Sequence, residues 1–140
     1  MSATYFRAKR LAYGHRLPLL AKWEAFGHRY LRPSYRLYRG VCSLSGLARG
    51  TGGEVAKLPR FCRPAGSLVF TVLKGGKPAR IDVKHTGKVV LLAGDAQNSW
   101  LSLDGVTFAV GKRGLKSVTL ADGWKTFGFG YRNVQVNKIN

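Results

Sequence analysis

Glycine-bearing dipeptides cut the second half of this chain into runs too short for long helices. Gly75-Gly76, Thr86-Gly87, Asp104-Gly105, Arg113-Gly114 and Asp122-Gly123 stand between those runs, where glycine takes a positive φ without a Cβ clash. The runs themselves carry the two-residue period of strands. In VCSLSGL, Cys42 and Leu44 alternate with Ser43 and Ser45; in ARIDVKH, Ile81, Val83 and His85 alternate with Arg80, Asp82 and Lys84. SLVFTVL is β-branched and aromatic, while KVVLLAG is apolar on both faces, as a central strand is. WLSLDGVTFAV alternates and then turns at Asp104-Gly105, and LKSVTLA and WKTFGFGYRNVQV follow. Strands recurring every ~8–12 residues predict an antiparallel sandwich or barrel. The stretch ARGTGGEVAKLPRFCRPAG reads as a long irregular connection from one sheet to the other.

Charge sets the second constraint. The 140 residues hold 24 Lys and Arg against 6 Asp and Glu, a formal +18. Such a surface seeks anions. Residues 1–40 hold Arg7, Lys9, Arg10, Arg16, Lys22, Arg29, Arg32, Arg36 and Arg39 with Glu24 as the sole acid, so this stretch is denser in positive charge than the rest. No apolar run reaches the ~18–20 residues that cross a bilayer. The opening MSATYFRAKRLAYGHRLPLLAK is Arg-rich and acid-free, which fits either a mitochondrial targeting segment or a basic structural arm. Residues 1–19 are expected to be an arm that orders on a partner, and residues 20–140 the folded module.

Cys42 and Cys62 are the only cysteines. Zinc needs about four ligands, and His15, His28 and His85 lack the spacing to supply the rest, so no structural metal is expected. A disulfide and two half-buried thiols both remain open, and in a reducing compartment thiols are the expectation.

One phrase occurs twice. KWEAFGHRY, residues 22–30, and GWKTFGFGY, residues 123–131, align Trp23 with Trp124, Phe26 with Phe127, Gly27 with Gly128 and Tyr30 with Tyr131. Further phrases follow the first in a fixed order: Tyr35, Leu44-Ser45-Gly46, Leu58-Pro59, Arg63-Pro64, Phe70, Arg80-Ile81-Asp82-Val83, Gly87, Trp100-Leu101-Ser102-Leu103-Asp104-Gly105 and Phe108. From residue 20 to residue 110 this order resembles the terminal β-sandwich module of phage tail-fibre proteins, which also recurs in proteins of marine protists. The resemblance implies an all-β, antiparallel, jelly-roll-like β-sandwich, here with a basic N-terminal arm, serving as a rigid, non-catalytic block for assembly or surface recognition. It also implies that residues 120–140 are a partial second repeat, expected to pair with the body as an edge strand. The excess of Lys and Arg is a departure that the resemblance does not explain.

Catalytic groups are hard to assemble from this sequence. Glu24, Glu54, Asp82, Asp95, Asp104 and Asp122 are scattered singly, with Asp82, Asp104 and Asp122 at strand or turn positions that suit solvent-facing or turn-capping roles. There is no Gly-x-Ser-x-Gly elbow, and GVTFAVGKR departs from a P-loop in both spacing and ending. No enzyme, cofactor or small-molecule substrate is expected. What remains is basic residues interleaved with aromatics, as in HRYLRPSYRLYR, where cations reach phosphates and rings stack on bases or sugars. The expected anion-binding set is Arg7, Lys9, Arg10, Arg16, Arg29, Arg32, Arg36 and Arg39, with Lys112, Arg113 and Lys116 as a second patch. The leading expectation is a mitochondrial ribosomal protein, in the matrix or at the matrix face of the inner membrane, held by rRNA and neighbouring proteins. Its alternatives are an accessory subunit of a respiratory complex or ATP synthase touching anionic lipid such as cardiolipin, and a glycan-binding or tail-fibre-type module using exposed aromatics such as Trp100 or Trp124.

Overall fold

The strands form where the glycine punctuation allows. A computed structural model describes residues 14–111 and 115–137. In chain order the strands are β1 (His15–Arg16), β2 (Trp23–Ala25), β3 (Ser34–Tyr38), β4 (Val41–Ser45), β5 (Leu47–Gly50), β6 (Glu54–Lys57), β7 (Leu68–Lys74), β8 (Lys77–Val83), β9 (Lys88–Ala93), β10 (Trp100–Ser102), β11 (Thr107–Ala109), β12 (Leu115–Ser117) and β13 (Gln135–Asn137). One sheet runs β1-β3-β4-β11 and the other β2-β5-β10-β7-β8-β9-β6. All the strand pairings are antiparallel. This is the all-β, antiparallel sandwich that the alternation predicts.

The larger sheet almost closes on itself. Its edge strands are β2 and β6, and the segment entering β2 reaches across to β6: Leu20 N donates to Val55 O at 2.9 Å and Lys57 N to Pro18 O at 3.0 Å. Residues 15–19, which sequence placed in the arm, are thus built into the sandwich, since β1 also pairs with β3. Near-closure leaves little edge exposed for unwanted strand pairing.

The apolar rows meet between the sheets. Cys42, Leu44 and Phe108 face Val55, Ile81, Val83, Val89 and Leu101, all buried, and the Phe70 and Phe108 rings lie 6.3 Å apart across the gap. Each such fully buried aliphatic side chain contributes about 1.5–3 kcal/mol. Cys42 and Cys62 form a disulfide, with Cα atoms 5.5 Å apart. That corrects the expectation of free thiols: a short 3-10 turn, Arg60–Cys62, carries Cys62 over to β4. Closing a loop of this length constrains the unfolded chain by about 3 kcal/mol. The connection expected to be irregular also yields β6, because Glu54–Lys57 finds β9 as a partner.

The second repeat does not become an edge strand of the body. β12 and β13 pair with each other, and of the residues 118–134 between them Tyr131 makes an isolated parallel bridge to Ser67, while side chains of Tyr131 and Arg132 also reach the body.

Candidate anion-binding surface

On the outer face of the four-stranded sheet the strand alternation sets cations beside hydroxyls. His15 stacks on Tyr35, ring centroids 5.5 Å apart, so its neighbour Arg16 turns the other way and is exposed. Cross-strand register places Arg16 opposite Ser34 and Ser34 opposite Ser45. Two residues further along β3, about 7 Å away, Arg36 stands opposite Ser43, and Ser43 opposite Thr107. Thr107 Oγ1 and Ser43 Oγ lie 3.4 Å apart.

Beside this face a groove of about 480 Å³ opens between β1 and the turn after β2. Arg16, Tyr30 and Arg32 line it over Leu17, Leu19 and Pro33, and no lining residue is acidic. The adjacent acid, Glu24, is held by Arg49 at 2.7 Å. An anion entering the groove therefore meets two exposed guanidiniums and a tyrosine ring, with no carboxylate to repel it.

Of the expected set, the fold brings Arg16, Arg32 and Arg36 together. Arg29 sits in the turn after β2 with φ +68°, and Arg39 lies at the far end of β3, its guanidinium 5.2 Å from the Tyr38 ring centre. Lys116 is exposed on β12, in the separate ribbon. Arg7, Lys9, Arg10, Lys112 and Arg113 lie outside the described residues.

A second polar cluster escaped the sequence. Asp82, expected to face solvent, has no exposed surface. Arg80 Nε donates to its Oδ1 at 3.0 Å, and Arg80 Nη2 and Tyr131 Oη donate to Oδ2 at 3.1 and 2.6 Å. The hydrogen bond to Asp82 and partial burial raise the Tyr131 hydroxyl above its ordinary pKa, and the same carboxylate raises the Arg80 guanidinium. Next to Tyr131, Arg132 Nη2 donates to Ala109 O at 3.1 Å, and burial lowers its pKa. Lys74 is also buried, donating to Gln97 O and, at 2.9 Å, to Ser99 Oγ; desolvation lowers its pKa. Three further acids have partners: Glu54 takes Lys88 at 2.8 Å, Asp104 accepts from Gly46 N at 2.7 Å, and Asp95 accepts from Gln97 N at 3.0 Å. These contacts hold loops to the sandwich. Among the described residues, no group of three or more His, Cys, Asp or Glu gathers to hold a metal.

Fold and surface together define an antiparallel β-sandwich with a cationic, hydroxyl-lined face. Among solved structures, the crystal structure of the receptor binding protein (gp15) of Listeria phage PSA is similar to this chain, with a TM-score of 0.56 and 18% identity over 78% of this chain and 73% of that one. No family model matches the sequence, and no curated protein matches it. At this identity the likeness is one of fold: the chain has a phage tail-fibre-like fold.

This match overturns the ribosomal reading. A fold shared with a phage receptor-binding protein favours the tail-fibre-type alternative over a mitochondrial ribosomal protein. The physical basis of that reading was a free basic arm, yet Arg16, Arg32 and Arg36 belong to the folded sandwich. The rRNA partner and mitochondrial compartment expected with it have nothing further to carry them.

Proposed function

We propose that this chain is a non-enzymatic recognition module of the phage receptor-binding type that grips an anionic glycan surface. Arg16 and Arg32 would take the acidic groups, the Tyr30 ring a sugar face, and Arg36 with Ser34, Ser43 and Thr107 a neighbouring unit. The observation that carries this reading is the acid-free groove with two guanidiniums on a fold similar to a phage receptor binding protein. The net charge of +18 supports attraction to such a surface at range.

Charge reversal tests it. In the double variant Arg16→Glu/Arg32→Glu, affinity for an immobilised sulfated or uronic-acid polysaccharide should fall by about 10–100-fold, and its salt dependence should flatten. Unchanged affinity, or equal binding of the wild type to neutral dextran, would count against the proposal.

A further inference from the structure

The two copies of the repeated phrase fold alike and are covered differently. In the first, Trp23 N donates to Leu20 O at 2.9 Å and Tyr30 N to Gly27 O at 3.0 Å; in the second, Trp124 N donates to Ala121 O at 3.1 Å and Tyr131 N to Gly128 O at 3.0 Å. Gly27 and Gly128 have φ +81° and +82°, and His28 and Phe129 +52° and +55°. Phe26 meets Tyr30 edge-on at 5.7 Å and 66°, and Phe127 meets Tyr131 at 5.8 Å and 66°. Yet Trp23 is 5% exposed and Trp124 77%, with Phe127 at 72% and Phe129 at 87%.

The first copy shows what covers such a tryptophan. Residues Trp23–Ala25 pair with β5, setting Trp23 opposite Gly50. A Cβ on Gly50 would come within 2.6 Å of Trp23 Cδ2 and closer still to the Lys22 backbone oxygen, so glycine leaves room for both the ring and its strand. Residues 124–126 have no strand partner. The second phrase is nonetheless held in shape from its other end: Ser67 N donates to Gly130 O at 3.0 Å, Arg132 N to Ser67 O at 2.9 Å, and Tyr131 to Asp82. A preorganised aromatic face of this kind loses little entropy on docking.

We infer that the Trp124 face is a docking site for the sheet edge of another sandwich of this build, one whose place beside its β5 strand is open. Residues 124–126 would add to that edge as a strand, with Trp124 seated over a glycine. The charges say that the partner differs from this chain. Glu24 pairs with Arg49 in the first copy, and its counterpart in the second is Lys125. On this chain's own β5, Lys125 would face Arg49; the matching edge carries an acid there. This mismatch also keeps the second phrase from displacing the first.

The test mixes the wild-type chain with an acceptor, Trp23→Ala/Arg49→Glu/Trp124→Ala, whose β5 edge is vacated and acid-bearing, and follows association by sedimentation velocity. A complex is expected, at least about tenfold weaker when the donor carries Trp124→Ala and weaker again when the acceptor keeps Arg49. A folded acceptor that forms no complex, or equal binding by the Trp124→Ala donor, overturns the inference. Should the acceptor fail to fold, a full-length chain with residues 23–30 replaced by the sequence of residues 124–131 and Arg49→Glu decides. Its melting near the wild type supports the inference, and an unfolded product overturns it.

Discussion

The carboxylate of Asp82 is covered by protein yet accepts from Arg80 Nε, Arg80 Nη2 and Tyr131 Oη. Hydrogen bonding to a charged acceptor is among the stronger polar contacts a fold can make. The Tyr131 hydroxyl is its pH-sensitive member. Its pKa is raised above the ordinary 10.0, first by the hydrogen bond to Asp82, so folding favours the protonated form. That contribution is complete below the ordinary tyrosine value and is lost as pH rises through the raised one. In thermal melts between about pH 8 and pH 11.5, Tyr131→Phe should lower Tm at the low end of this range and show a shallower alkaline fall than the wild type. Parallel curves for the two proteins would contradict this role. None of this was legible in the alternation Arg80-Ile81-Asp82, because the covering residue comes from 49 positions away.

At the scale of elements, what was legible followed local pattern. β4 alternates as its Ser and Leu positions foretell, Cys42 and Leu44 inward, and β9 lies inside its sheet as an apolar strand should. β6 was missed because Glu54–Lys57 sits among glycines and prolines, and a partner distant in sequence makes it a strand. The second phrase was expected as an edge strand, but the β5 edge it would use is already held by β2. The fit of β2 on β5 is close enough to break with one methyl group. Gly50→Ala should destabilise the protein by about 1–3 kcal/mol through overpacking against the Lys22 backbone oxygen and the Trp23 ring, read by urea denaturation; a neutral result would mean that β2 is held loosely.

Over the whole molecule, the cations of the N-terminal quarter were plain in the sequence while their arrangement was not. Arg16, Arg32 and Tyr30 line one groove only because a two-residue β1 pairs with β3, a contact no local pattern encodes. A charge of +18 attracts any polyanion, so affinity alone does not separate a glycan reader from an RNA binder. Selectivity does, because the proposed glycan contact uses a groove that sets two guanidiniums beside a tyrosine ring, next to the hydroxyl-bearing face of the four-stranded sheet. The most direct measurement is a competition: the wild-type chain is loaded on an immobilised anionic polysaccharide at ~150 mM salt, where long-range attraction is largely screened, and challenged with ribosomal RNA. Retention on the polysaccharide is expected, and its loss in Arg16→Glu/Arg32→Glu. Displacement of the wild type by RNA would contradict it.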